Sequence, residues 1–142
     1  MSLTPLGPLR ASVQRLPLFL NPISAGFPSP AEDHIEATLS LDELCIRHPA
    51  ATYLLRAAGD SMQGAGIFDG DVLVVDRSIE PRTGMIVVAT VRGDFTCKRL
   101  EAEGEQPVLR AENPRYQDIR FAPGEELEVF GVVVAAVRRL GI

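Results

Sequence analysis

The chain has 142 residues, 46% of them hydrophobic and 23% charged, which suits one globular domain with a sizeable core and is too little for two ordinary ones. A formal net charge of -5 excludes a phosphate-binding surface spread over the whole molecule, because such a surface needs clustered Lys and Arg, and so no sequence-specific nucleic-acid contact is expected. Cys45 and Cys97 have no CxxC spacing and no nearby histidine pair, so they argue against a metal site and a disulfide framework and read as reduced, structural residues.

Residues 1–30 are punctuated by Pro5, Pro8, Pro17, Pro22, Pro28 and Pro30, a pattern that cannot hold a long helix and predicts an extended N-terminal arm. Within it Arg10 and Arg15 precede Leu16-Pro17-Leu18-Phe19-Leu20, and Ala25 follows. This has the outline of a secretory leader, but its apolar part is short and broken by Pro17 and Pro22, so a cytoplasmic location is expected. No run reaches the roughly 20 apolar residues of a membrane helix. The longest, Val129 to Val137, is closed by Glu128 and by Arg138-Arg139 and has the length of a buried strand.

Ser29-Pro30-Ala31-Glu32 and Ser40-Leu41-Asp42-Glu43 both have capping-box spacing and predict two short helices, the second ending before Pro49. From Thr52 the pattern becomes extended. Strands are predicted at Tyr53 to Ala57, Val72 to Asp76, Met85 to Val91, Phe95 to Leu100, Pro107 to Ala111 and Leu127 to Val137, separated by Gly- and Pro-containing turns. Residues 31–142 are thus expected to form one compact, mainly β domain with one or two short helices. Its clearest hairpin joins Met85–Val91 to Phe95–Leu100 through a three-residue glycine loop and puts Lys98 on the face of Thr96 and Leu100, opposite Cys97.

Lys98 is the only lysine beside thirteen arginines. Arginine matches lysine as a source of charge but effectively never releases its proton, whereas a desolvated lysine becomes a neutral amine able to act as a base. A lysine ordinarily titrates at about 10.4, so burial among Val, Ile and Leu strands has to depress it. The Arg99 guanidinium would add to the effect if it lay close. Upstream, Gly59-Asp60-Ser61-Met62 places a serine at the end of a β run, with Gly64 and Gly66 beyond it, so that the backbone N–H groups of Asp60 and Ser61 are candidates for holding an oxyanion. Serine and an unprotonated lysine suffice for acyl transfer without histidine. His34 and His48 both fall before the sheet begins, which disfavours a Ser-His-Asp arrangement.

Several segments together resemble the UmuD proteins, the SOS-response members of the LexA-type self-cleaving peptidase family. They are Gly26-Phe27-Pro28-Ser29-Pro30-Ala31, His48-Pro49-Ala50-Ala51-Thr52-Tyr53, Gly59-Asp60-Ser61-Met62, Gly66-Ile67-Phe68-Asp69-Gly70-Asp71, Phe95-Thr96-Cys97-Lys98 and Val129-Phe130-Gly131-Val132-Val133. The resemblance implies Ser61 as nucleophile, Lys98 as general base and self-cleavage between Ala25 and Gly26, with Ala25 where a family member carries Cys. It further implies stimulation by RecA filaments on single-stranded DNA, a homodimer, and a trimmed product that joins a UmuC-type subunit in an error-prone translesion polymerase. No cofactor or metal is implied. A LexA-like repressor would carry a helix-turn-helix ahead of the bond, which about 25 proline-spaced residues do not build. A signal-peptidase-like membrane enzyme would need an anchor. A pure binding module that retains Ser61 and Lys98 as relics is separated from these by self-cleavage.

Overall fold

The computed structural model describes residues 2–8, 14–19 and 35–141. The first predicted helix, His34 and the Ala25–Gly26 bond lie outside the described residues. The strands are β1 (Ser2–Pro8), β2 (Leu16–Phe19), β3 (Ile35–Leu39), β4 (Thr52–Ala58), β5 (Val72–Asp76), β6 (Ile86–Val91), β7 (Asp94–Glu103), β8 (Gln106–Arg110), β9 (Ile119–Arg120) and β10 (Glu128–Val137). One short helix, α1 (Leu41–Cys45), and two 3₁₀ turns, Pro49–Ala51 and Gln63–Ala65, complete the described elements. The mainly β expectation holds. The second predicted helix forms where its cap signal stands, with the Ser40 side chain accepting from the Glu43 N–H.

Eight strands form one curled antiparallel sheet in the order β1-β4-β5-β10-β6-β7-β8-β9, and β2 pairs with β3 apart from it. The Val-rich runs of β5, β6 and β10 supply β-branched side chains that suit a pleated, buried surface. β10 lies at the centre and is paired to β5 and β6 on its two edges, with register irregularities between Val129 and Gly131 and between Val133 and Ala135. Extra residues of this kind bend a strand and sharpen its twist, which curls the sheet around its core. Leu55, Met62, Leu73, Val75, Val88 and Cys97 fill one core cluster, and Val87, Ala89, Leu100, Leu109 and Val132 fill a second.

Two features differ from the sequence reading. The β6–β7 loop has two residues, since Val91 pairs with Asp94 and both Arg92 and Gly93 have positive φ, the geometry that matches the twist of a tight hairpin. Ile35–Leu39 is a strand because it finds a partner in Leu16–Phe19, 19 residues or so away by loop closure that sequence periodicity does not register. Ser2–Pro8 adds to the outer edge of β4, from Ser2 opposite Ala58 to Pro8 opposite Tyr53.

Candidate active site

β4 ends at Ala58, and the chain then turns through Gly59, whose N–H donates to the Asp69 carboxylate at 2.8 Å. Gly59 has φ +96°, a backbone conformation that side-chain-bearing residues avoid, and this turn delivers Ser61 to the interior. Ser61 is 0% exposed and Lys98 is 4% exposed. The Lys98 Nζ lies 3.1 Å from the Ser61 Oγ, so residues 37 positions apart meet in a dry interior.

Two further acceptors hold the amine. Nζ donates to the Thr96 Oγ1 at 3.0 Å and to the Cys97 carbonyl at 3.1 Å. Thr96 and Lys98 share one face of β7, as alternation requires, while the Cys97 side chain goes to the other face and packs with Met62 in the core. Burial pushes the Lys98 pKa below the ordinary lysine value, because removing the ammonium from water penalises the charged form. Arg99 makes no part of this: its guanidinium pairs with Glu112 and donates to the Gly84 carbonyl at 2.6 Å. The same burial pushes the Cys97 thiol up to about 12, which leaves it an inert packing group at neutral pH.

A segment that sequence reading passed over clasps the nucleophile's turn. The Glu112 N–H donates to the Ser61 carbonyl at 2.9 Å, and the Gly64 N–H donates to the Glu112 carbonyl at 2.8 Å. A Cβ on Gly64 would stand 2.6 Å from that carbonyl oxygen, so only glycine permits the approach. Asn113, 5% exposed, donates from Nδ2 to the Asp60 carbonyl at 3.0 Å. The Asp60 carboxylate is bonded by the Tyr116 hydroxyl and the Arg115 guanidinium, which together hold its pKa below the usual value. The available signal was Glu112-Asn113-Pro114, a turn-forming triplet after a strand, which marks a loop but not its target.

His48 is engaged elsewhere. Its Nδ1 lies 2.6 Å from the Asp76 Oδ2, and the Ser78 Oγ donates to the Asp76 Oδ1 at 2.6 Å, so the carboxylate stands between imidazole and hydroxyl and no Ser-His relay is formed. Among the described residues no group of three or more His, Cys, Asp or Glu is arranged to hold a metal ion, and no helix is long and apolar enough to cross a membrane.

Comparison with known proteins accords with this geometry. The Peptidase S24-like family model matches residues 17–134. The chain belongs to the S24-like peptidases. It is 46% identical over 123 residues to Protein SamA of Salmonella typhimurium, covering 87% of this chain and 85% of that one. It is 47% identical over 122 residues to Protein MucA of Escherichia coli, covering 85% and 83%. With the LexA repressor of Bordetella avium it shares 39% identity over 132 residues, 92% of this chain and 62% of the repressor. These matches bear out the UmuD-type resemblance and make this S24-like chain a peptidase of the LexA and UmuD kind.

Proposed function

We propose that this chain is a self-cleaving serine peptidase in which Ser61 is the nucleophile and Lys98 its general base, cutting its own arm between Ala25 and Gly26. The observation that carries the proposal is the 3.1 Å approach of the Lys98 Nζ to the Ser61 Oγ with both groups shut away from solvent. A neutral amine has two N–H groups and one lone pair. With the N–H groups engaged by Thr96 Oγ1 and the Cys97 carbonyl, the lone pair is left for the third neighbour, the Ser61 hydroxyl.

Lys98 takes the hydroxyl proton as Ser61 Oγ bonds to the Ala25 carbonyl carbon, and the resulting oxyanion is received by the backbone N–H groups of Asp60 and Ser61. Among the described residues neither N–H donates to another backbone carbonyl. Collapse breaks the Ala25–Gly26 bond, and the Lys98 ammonium returns its proton to the departing Gly26 amine. Water then hydrolyses the Ala25 ester with Lys98 again as base. Residues 1–30 form the arm and residues 31–142 the peptidase and dimerisation domain.

Burial favours the neutral amine, and Ser61 has no exposed surface, so in this reading cleavage requires a rearrangement around Ser61. That requirement supports a reaction stimulated from outside, in this reading by RecA filaments on single-stranded DNA in the cytoplasm. Leu41 and Leu44 lie exposed on α1, no residue of which is buried, and such apolar surface supports a homodimer. The trimmed dimer then serves as accessory subunit of a UmuC-type translesion polymerase.

Purified chain held at pH about 10, where more of the amine is neutral, should release residues 1–25 without a partner, as read by mass spectrometry. Ser61→Ala and Lys98→Arg should each abolish release. A cut at another bond, or one that persists in Lys98→Arg, contradicts the assignment.

A further inference from the structure

The geometry points to Asn113 as a positioning residue that aims the Ser61 backbone N–H at the oxyanion, acting through the peptide that joins Asp60 to Ser61. In a planar trans peptide the carbonyl and the following N–H point in opposite directions, so whatever pins the Asp60 carbonyl fixes where the Ser61 N–H looks. Asn113 Nδ2 pins it at 3.0 Å, the shorter of two bonds to that carbonyl, the other coming from the Gln63 N–H at 3.3 Å.

The asparagine is itself held in one orientation. Its Oδ1 accepts from the Arg115 N–H at 3.0 Å, and its main-chain carbonyl accepts from the Tyr116 N–H at 3.1 Å. Turning the side-chain amide over would set oxygen against the Asp60 carbonyl and nitrogen against an N–H, losing both bonds, so the donor must face Asp60. At 5% exposure the side chain has little water to replace a lost partner. The next peptide is fixed in the same way, since the Glu112 N–H holds the Ser61 carbonyl at 2.9 Å. Thus adjacent residues of one loop fix the peptide planes on either side of the nucleophile.

The bond has an electronic effect as well as a geometric one. A donor on a carbonyl polarises the peptide and strengthens its N–H as a donor in turn, by about 10–30% per bond in condensed phase. A donor aimed before the reaction starts needs no rearrangement as charge develops. Lys98 does not touch Asn113 through any of these bonds, so the role separates from that of the base.

This inference rests on the reading of Asp60 and Ser61 as oxyanion donors, and the experiment separates the two. Self-cleavage of the full chain is followed from pH 7 to 11 for wild type, Asn113→Ala and Asn113→Asp. The aspartate keeps an acceptor for the Arg115 N–H but sets a charged oxygen where the donor to Asp60 stood, so the pH midpoint is read in Asn113→Ala. Both variants should lower the high-pH plateau rate about 10- to 100-fold, part of the loss seen when an oxyanion donor is deleted outright. The pH midpoint, set by Lys98, should stay where wild type has it. A role in folding alone would let water reach the amine and move the midpoint upward. In an uncleavable Lys98→Ala background, the Ser61 amide ¹⁵N resonance should shift on Asn113→Asp, a readout that survives if Asn113→Ala does not fold.

Wild-type plateau rates in folded variants, an unmoved Ser61 amide resonance, or a rate loss that travels with a raised midpoint each overturn the inference while leaving the dyad standing. Absence of Ser61-dependent cleavage in wild type sinks the underlying reading and the inference with it.

Discussion

Replacing Lys98 by methionine tests the buried amine through stability rather than catalysis. Both proteins carry Ser61→Ala so that the arm stays attached. Because the folded pKa of Lys98 is depressed, the unfolded chain binds more protons than the folded one at every pH between the folded value and the ordinary value of about 10.4. Stability of the lysine protein therefore rises with pH across that window, by up to about 1.4 kcal/mol per pH unit, and the methionine protein has no such rise. Below the window the buried ammonium is a fixed liability, offset by its bonds to Thr96 Oγ1 and the Cys97 carbonyl, each worth about 1 kcal/mol.

Those bonds weaken when the amine loses its proton and so are already contained in the folded pKa, which makes the slope the clean quantity. Urea unfolding of the two proteins from pH 7 to 11 supplies it, and the chain contains no other lysine to confuse the result. The stability difference favouring methionine should shrink as pH rises and level off near 10.4. A constant difference would show that the amine titrates alike in both states. A difference that widens would mean the folded amine is stabilised in its charged form, and either result refutes the buried neutral base.

Lys98→Arg keeps the charge but cannot accept a proton, so its self-cleavage should fall as far as that of Lys98→Ala, on the order of 10²- to 10⁴-fold, while urea midpoints place the arginine variant below the alanine one. Gly131→Ala would put a Cβ 2.7 Å from Val75 Cγ1 and 3.1 Å from the Asp76 carbonyl, so it should cost about 1–3 kcal/mol by the same unfolding assay, and an unchanged midpoint would contradict the close approach of Gly131 to the neighbouring strand β5. Asp76 is buried, which raises its pKa, but the Ser78 hydroxyl and His48 outweigh burial and hold it below 3.8. Its contribution is therefore present above 3.8 and is lost as pH falls through the folded value, so Asp76→Asn should flatten the acid limb of stability against pH. Equal acid limbs in the two proteins would refute this.

The sequence was most legible where physics is local. Runs of β-branched, aromatic and aliphatic residues between turn signals marked β4 to β8 and β10, Ser40 marked the start of α1, and its solitary place among arginines singled out Lys98. The Arg92-Gly93 turn was read one residue too long, because only pairing of Val91 with Asp94 fixes a hairpin register. Ile35–Leu39 could not be read as a strand from its own residues, since its partner is supplied by Leu16–Phe19.

What the chain determined alone was the β class and the identity of a serine and a lysine with chemical potential. Their meeting was decided by the tertiary structure, because a distance between positions 61 and 98 depends on sheet order and curl, which no local pattern encodes. The same holds for the Glu112–Asn113 clasp, whose bonds to Ser61 and Asp60 join loops some 50 residues apart. Periodicity registers which face a residue occupies; only the packed sheet settles what stands opposite, and there the burial that lowers the Lys98 pKa is made.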